Sequence, residues 1–235
     1  MWRNFCRSKT YQKQSISVKM ENDIQAGSKR VLKFVVVGEM ATGKTSIIRQ
    51  FVQQAFSEFY KSTIGVDFAR KTIKYSDDLV IDLQLWDISG QERFASVTHM
   101  YYNEAIAALV VFDLMSQNTL DVAAIWKKDI DEKVRTSDEK PIPSFLIGNK
   151  LDLTNNGAEG VSDEAIAKIC NENGFIKSFK TSARNDVNIK ESIESILHYV
   201  LENNIHPFRP KELDSCVNIK DPKRNNRETP SGCCH

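Results

Sequence analysis

The amino-acid sequence predicts an α/β fold in which a mostly parallel six-stranded sheet carries helices on both faces. Short apolar or β-branched runs alternate along the chain with segments whose apolar residues recur every three or four positions. Because a helix between two strands carries the chain back across the sheet, such strands pair in parallel. A glycine-rich loop between the first strand and the first helix also favours this class.

The predicted strands differ in their apolar pattern. The first, over 31–37, is β-branched and ends at Gly38. Two alternating segments, 68–75 and 80–86, are separated by a polar turn and predict an antiparallel hairpin. A last strand is predicted just before Thr181. Continuously apolar runs, typical of strands covered on both faces, lie at 107–112 and 144–147.

Helices are predicted where apolar residues recur at helical spacing, over 46–54, 120–134, 162–173 and 189–204. Asn118 or Thr119 is predicted to begin the second helix, and Ser162, with Glu164 close behind, to begin the third. Cys170 falls on the apolar face of that third helix and is predicted to lie in the core.

Composition narrows the class of protein. The 235 residues include 32 Lys+Arg and 31 Asp+Glu, and the net charge of +1 argues against a strongly basic nucleic-acid-binding protein. The longest apolar run, 105–112, is far shorter than the ~20 residues that span a membrane. The five cysteines show no Cys-x-x-Cys spacing, so neither a disulfide framework nor a zinc site is indicated. These features predict a soluble protein in the reducing cytosol.

Charge divides the chain into three parts. Residues 1–30 carry seven basic and two acidic side chains, whereas 31–205 are acidic in balance and hold nearly all the periodic apolar pattern. We therefore predict one folded domain over 31–205, a disordered basic arm over 1–30 and a flexible tail over 206–235. A mitochondrial-type presequence and a patch for anionic lipid remain alternatives for the arm.

The loop after the first strand has the pattern Gly-x-x-x-x-Gly-Lys-Thr, which is typical of phosphate-binding loops. Glycines let the backbone wrap around phosphates, and the N–H groups at the start of a helix point at them. Lys44 would contact the β- and γ-phosphates, and the Thr45 hydroxyl would ligate Mg²⁺. The pattern predicts a nucleoside triphosphate site that includes Gly38, Met40, Ala41, Thr42, Gly43, Lys44, Thr45 and Ser46.

The end of the strand over 80–86 adds groups for hydrolysis. Asp87 can hold the Mg²⁺ shell through water. Gly90 lets a backbone N–H approach the γ-phosphate closely. Gln91 would then orient the attacking water and is the predicted catalytic residue.

Asn149-Lys150-Leu151-Asp152 follows the strand over 144–147 and predicts the base. A carboxylate at Asp152 can accept hydrogen bonds from guanine N1–H and its exocyclic amine, a donor pair that adenine lacks. Sites of this kind reject the wrong partner by about 10⁴–10⁵. Asp152 also argues against the alternative of a small-molecule phosphotransferase. The segment after the last strand, which can add a backbone N–H to the guanine oxygen, includes Ser182, Ala183 and Arg184.

With these motifs in place, residues 31–205 resemble the Ras superfamily of small GTPases and, within it, the Rab family. The resemblance rests on TIGVDF at 63–68, LQLWDISGQERF at 83–94, YYNEA at 101–105 and VVFD at 110–113. It implies the P-loop small GTPase fold. The phosphate-loop variant, the LQLWDI run, Trp126 with two lysines and PIP at 141–143 resemble the thirty-two/thirty-eight branch, which works on endosomal and lysosome-related membranes.

The resemblance also implies roles for residues that spacing alone does not assign. Thr63 would join Mg²⁺ when the γ-phosphate is present, Phe56 would pack edge-on against guanine, and Tyr60 would contact the nucleotide. Segments 56–68 and 89–102 would be the two switches, ordered by GTP and released after hydrolysis. The surface aromatic triad that effectors contact would be Phe68, Trp86 and Tyr101.

The implied ligands are GTP or GDP with Mg²⁺. The implied partners are an exchange factor, an activating protein, effectors, a dissociation inhibitor, and an escort protein with its geranylgeranyl transferase. The chain ends in Cys233-Cys234-His235, which resembles the Rab signal for two geranylgeranyl groups, the minimum for stable anchoring. A Cys-a-a-X box would need cysteine where the chain has Gly232. The anchor implies the cytosolic face of endosomal or lysosome-related membranes, with a soluble pool.

Three residues depart from the family pattern near the γ-phosphate. Met40 and Ala41 occupy positions that are both glycine in Ras, and Ser89 stands where most relatives have alanine. Many Rab proteins carry a side chain at the position of Met40, so the resemblance implies that it is tolerated; the alternative is that it crowds Gln91 or an incoming arginine finger. Ala41 would cost about 1 kcal/mol if the backbone there requires a positive φ. We therefore expect slow GTP hydrolysis that depends on an activating protein. The alternative is a scaffold that holds GTP and hardly hydrolyses it.

Overall fold

The computed structural model describes residues 28–59, 62–91, 98–154 and 160–208, with the side chains of 98 and 99 excepted. Its six strands are β1 Ser28–Gly38, β2 Val66–Lys74, β3 Leu79–Ile88, β4 Ala107–Asp113, β5 Ser144–Asn149 and β6 Lys177–Lys180. They form one sheet in the order β2-β3-β1-β4-β5-β6. Only the β2–β3 pair is antiparallel, as the sequence predicts for that hairpin.

The helices within the described residues are α1 Lys44–Gln53, α2 Thr98–Tyr102, α3 Gln117–Lys133, α4 Leu151–Thr154, α5 Asp163–Glu172 and α6 Ile189–Glu202. The sequence did not predict α2 and α4, which are too short to show an apolar period.

The start predicted for α3 was wrong. The N-cap residue is Ser116, whose side chain makes no capping hydrogen bond, and Thr119 lies inside the helix, where its hydroxyl accepts a hydrogen bond from the Asp113 N–H at 2.9 Å. That contact ties the first turn of α3 to the end of β4. The start predicted for α5 is confirmed, because the Ser162 hydroxyl accepts from the Ala165 N–H at 3.2 Å.

Two apolar clusters cover the two faces of the sheet. On one face α1 and α6 pack against alternate residues of β1 such as Phe34. On the other, α3 and α5 pack against the residues between them, such as Val35. Trp126 lies fully buried in the second cluster, and Cys170 is buried there as predicted. The helix layers leave the carboxyl ends of the parallel strands free to carry loops.

The last described residues continue past α6 and contact the domain. Pro207 forms a bridge with Thr136, and the Phe208 N–H donates to the Arg135 carbonyl at 3.3 Å. Among the described residues, no helix is both long and apolar enough to cross a membrane.

Candidate nucleotide-binding site

A cleft of about 430 Å³ opens at the carboxyl edge of the sheet. Loops from the ends of β1, β3, β5 and β6 and from the end of α1 form its walls. Gln91 lines this cleft together with most of the predicted nucleotide-binding residues: Met40, Ala41, Gly43, Lys44, Thr45, Ser46, Phe56, Thr63, Gly90, Asn149, Lys150, Asp152, Ala183 and Arg184.

The other predicted residues fall into two groups. Gly38, Thr42, Asp87 and Ser182 are buried beneath the walls of the cleft, where they hold the lining residues in place. Tyr60, Cys233 and Cys234 lie outside the described residues.

The phosphate loop is held in place by the side chain of Asn149. Asn149 is buried, and its side-chain amide donates to the Thr42 carbonyl at 2.9 Å. A Cβ on Gly43 would lie 2.2 Å from Asn149 Nδ2, and φ there is 94°, so glycine is required at this position on two grounds. Asn149 Oδ1 accepts from the Ala183 N–H at 3.1 Å. Asn149 thus connects three loops. The Ala183 N–H, which belongs to the segment predicted to contact guanine, donates its hydrogen bond to Asn149.

Lys44 holds its ammonium group inside the curve of the loop. Its Nζ donates to the carbonyls of Gly38 at 3.0 Å and Glu39 at 2.9 Å. Burial lowers the pKa of Lys44, and the carboxylates of Asp87 and Glu39 oppose that shift. A positive charge fixed at the base of the loop suits a polyphosphate.

Three oxygen groups converge beside Lys44. The Thr63 hydroxyl lies 2.9 Å from that of Thr45, and Asp87 Oδ2 accepts hydrogen bonds from both. Asp87 Oδ1 is buried without a hydrogen-bond partner, and burial raises the pKa of this carboxyl.

A cation fits this cluster. Mg²⁺ prefers oxygen ligands, and the unpartnered carboxylate oxygen supplies the negative charge that such an ion would neutralise. Among the described residues no group of three or more His, Cys, Asp and Glu side chains could hold a metal, so the hydroxyls are essential to this donor set. Thr45 and Thr63 would hold Mg²⁺ directly, and Asp87 would do so through water.

The opposite end of the cleft suits a purine. Ser182 Oγ donates to Asp152 Oδ1 at 2.5 Å and fixes the carboxylate at the wall. Lys150 is held by an ion pair with Asp113 at 2.7 Å. Phe56 is 40% exposed and offers its ring to the cleft. The carboxylate, the stem of Lys150 and the aromatic ring can together bind a flat base that carries two donors.

An ion pair that the sequence did not predict crosses the mouth of the cleft. Arg184 donates to Glu58 at 2.7 Å, which joins the loop after β6 to the loop after α1. The two residues are 126 positions apart, so no local pattern signals their contact. Both side chains are more than half exposed, and such pairs contribute about 0–1 kcal/mol.

Met40 and Ala41, which depart from the family pattern, are among the residues expected nearest the γ-phosphate. Ala41 has a φ of 62°, the condition under which its Cβ costs about 1 kcal/mol. Gln91 Nε2 lies 3.8 Å from Met40 Sδ, so the methionine side chain contacts the glutamine amide. A Cβ on Gly90 would lie 2.4 Å from the Met40 backbone nitrogen, which leaves room for glycine alone.

The side chains of the predicted aromatic triad belong to β2, β3 and α2 and do not line the cleft. Phe68 is 56% exposed, and its ring stacks on Trp86 with centroids 5.8 Å apart. Tyr101 is partly buried in α2. Phe59 and Ile64, between α1 and β2, are about nine-tenths exposed.

The division of one sheet edge into a phosphate end and a purine end defines a P-loop nucleotide-binding protein of the GTPase class. The sequence model of the Ras family matches residues 33–202. The chain therefore belongs to the Ras family and, as its relatives indicate, to the Rab proteins within it.

The curated relatives cover most of the chain. Ras-related protein Rab-32A of Dictyostelium discoideum is 41% identical over 215 residues, which are 90% of this chain and 97% of the relative. Human Ras-related protein Rab-32 is 40% identical over 205 residues, 87% and 89% of the two chains. Human Ras-related protein Rab-7L1 is 40% identical over 173 residues, 74% and 84% of the two chains. The predicted resemblance to Rab proteins of the thirty-two type is confirmed.

Proposed function

We propose that this chain is a membrane-anchored GTP/GDP switch that hydrolyses GTP slowly and recruits effectors in endosomal or lysosome-related trafficking. The observation that carries the proposal is the cluster of Thr45, Thr63 and Asp87. It joins the phosphate loop, the loop after α1 and the end of β3 at one point. A nucleotide and Mg²⁺ bound there would control the position of Thr63, and through it the first switch.

The chain's own groups account for hydrolysis in this proposal. Lys44 and the backbone N–H groups of the phosphate loop stabilise the charge that develops on the phosphate oxygens. Gln91 orients the water for in-line attack on the γ-phosphate. Mg²⁺, when bound, neutralises charge on the β- and γ-phosphates. An activating protein would be needed for fast turnover, since Met40 lies against Gln91.

Effector recruitment would depend on the nucleotide. Thr63 and Gln91, from the proposed switch segments 56–68 and 89–102, line the cleft, and the same segments include Phe68 and Tyr101. When GTP orders both segments, they present these side chains together with Trp86. The same cycle calls for an exchange factor to open the site and a dissociation inhibitor to cover the lipids of the soluble pool.

Anchoring by lipids on Cys233 and Cys234 completes the proposal, and it is supported by the terminal cysteine pair. After treatment with an escort protein and geranylgeranyl transferase, the full chain is expected to sediment with phospholipid vesicles. Cys233→Ser/Cys234→Ser is expected to stay in the supernatant, and either single variant to bind reversibly, because one chain anchors only marginally. Equal sedimentation of the double variant and the unaltered chain would overturn this part of the proposal.

The nucleotide assignment has a direct test. Fluorescent GDP bound to the full chain is displaced by unlabelled GTP or by ATP in the presence of Mg²⁺. We expect GTP to compete at concentrations at least about 10⁴-fold below those of ATP. Comparable competition by the two nucleotides would contradict a guanine-nucleotide switch and favour a different P-loop enzyme.

The contact between Met40 and Gln91 favours a second candidate, a scaffold that holds GTP with negligible hydrolysis. Met40→Ala removes the thioether, so Gln91 becomes free to orient water. We expect this variant to hydrolyse preloaded GTP several-fold faster than the unaltered chain in a single-turnover assay. Ile125→Ala, which truncates an exposed apolar side chain on α3 outside both proposed switches, is the control. An equal rate in Met40→Ala would mean that the thioether does not restrain Gln91.

A further inference from the structure

Lys33 contacts two parts of the proposed partner surface at once. It is half-buried in β1, and its Nζ lies 3.6 Å from the centroid of the Trp86 ring. The same Nζ donates a hydrogen bond to the Asn103 carbonyl at 2.8 Å. Asn103 directly follows α2, two residues after Tyr101. One ammonium group therefore bridges β3 and the end of α2.

The contact with Trp86 is directional. The face of an indole ring attracts a cation, and partial burial strengthens that attraction because water competes less. Phe68 stacks on the same indole, and Trp86 Nε1 donates to Gln84 at 3.4 Å. The indole is thus held from β1, β2 and β3, and Lys33 supplies the only charge within hydrogen-bonding or cation–π distance of it among the described contacts.

We infer that Lys33 is a positioning residue that holds Trp86 and the end of α2 together as one partner-binding surface. The inference rests on the proposed function, because it assumes that Phe68, Trp86 and Tyr101 receive partners. A neutral side chain at position 33 would release α2 from β3 and leave the indole free to change rotamer. An arginine would retain both the cation and the donor.

The pKa of Lys33 allows its contact with Trp86 to be followed by pH titration. Burial lowers the pKa of Lys33 to about 8, and Glu104, next to Asn103, opposes that shift. Lys29 and Asp82 lie further along the same sheet face and pair with each other at 3.5 Å. Asp82 is also paired with Arg70 from β2. As pH rises through about 8, the cation over Trp86 is lost, and below that pH it persists.

The experiment uses ¹⁹F NMR of the full chain loaded with GDP and labelled with 5-fluorotryptophan. The three tryptophans give three resonances, and Trp86→Phe identifies the one of interest. We expect the Trp86 resonance to titrate with a midpoint near pH 8. The titration is expected to disappear in Lys33→Met and in Lys33→Arg and to persist in the control Lys29→Met. Glu104→Gln is expected to move the midpoint to lower pH.

Amide hydrogen exchange of residues 98–104 tests the second contact. We expect faster exchange in Lys33→Met and unchanged exchange in Lys33→Arg, because arginine can still donate to the Asn103 carbonyl. A Trp86 resonance that does not titrate in the unaltered chain, or that titrates in Lys33→Met, would overturn the inference. So would equal exchange in Lys33→Met and the unaltered chain. If Lys33→Met does not fold, the pH profiles of the unaltered chain, Lys33→Arg and Glu104→Gln decide the question.

The two proposals fail in different ways. Neither the Trp86 titration nor the exchange measurement needs a partner or GTP hydrolysis. A chain that preferred ATP would contradict the proposed function and leave the Lys33 contacts standing. A flat titration would remove the role of Lys33 and leave the nucleotide assignment intact.

Discussion

Asp152→Asn is expected to lower the affinity of the chain for GDP and GTP by roughly 10²–10³-fold. The carboxylate lies at the wall of the cleft, fixed by the Ser182 hydroxyl at 2.5 Å. It can accept from both guanine donors, whereas an asparagine amide offers one acceptor and sets a donor against the other. Loss of one partner in a buried charged hydrogen-bonded pair costs about 2–5 kcal/mol, which sets the expected range.

A change of base makes this prediction sharper. Xanthine carries a carbonyl where guanine carries its exocyclic amine, so the asparagine NH₂ can donate to it. Displacement of fluorescent GDP should therefore show Asp152→Asn losing guanine nucleotides and gaining xanthosine diphosphate. Asp163→Asn, at an exposed carboxylate paired with Lys180, is the matched control and should change neither. An unchanged preference for guanine in Asp152→Asn would mean that another group reads the base.

Thr45→Asn is expected to cost about 10²-fold in Mg²⁺-dependent affinity for GTP. The Thr45 hydroxyl is one of three oxygen groups in the cluster with Thr63 and Asp87, and a larger amide displaces it from both neighbours. Affinity for GDP should fall less, because the γ-phosphate and Thr63 engage the ion together. A variant that still binds the exchange factor would then hold it tightly, since it seldom reaches the GTP state.

The measurement is nucleotide affinity with Mg²⁺ and with excess chelator. In chelator the variant and the unaltered chain should bind GTP almost equally, since the ion that separates them is gone. This internal comparison removes general effects of the substitution on folding. GTP affinity that is unaltered in Thr45→Asn with Mg²⁺ present would defeat the phosphate-loop assignment.

The sequence was sufficient for the architecture because each long element carries its own period. The alternation over 68–75 and 80–86 predicts the hairpin that becomes β2 and β3, and the apolar run at 107–112 predicts a strand covered on both faces. The start of α3 was missed because several polar residues stand in succession there, and each of them is a favourable residue for the start of a helix. Thr119 lies inside the helix instead, where its hydroxyl accepts a hydrogen bond from the Asp113 N–H. Helices α2 and α4 have too few residues for a period to show.

The functional site also contains some features that the sequence predicts and others that it does not. Motif residues were predictable because phosphate and guanine chemistry dictate residue types at fixed spacing, and even the consequence of a positive φ at Ala41 could be stated in advance. Contacts between distant segments were not, because they depend on how the loops pack. Arg184 reaches Glu58 across 126 positions, and Lys33 reaches Asn103 across 70. The first pair joins two loops, and the second joins β1 to the residue that follows α2, so neither contact could be predicted from a motif.

Single-turnover hydrolysis of preloaded GTP with Mg²⁺, run beside Gln91→Leu, tests the central claim most directly. The leucine side chain has similar bulk and cannot orient water. The account predicts a slow but measurable rate in the unaltered chain and a rate at least about tenfold lower in the variant. A rate in the unaltered chain that is no higher than that of Gln91→Leu would contradict a hydrolysing switch and support the GTP-holding scaffold.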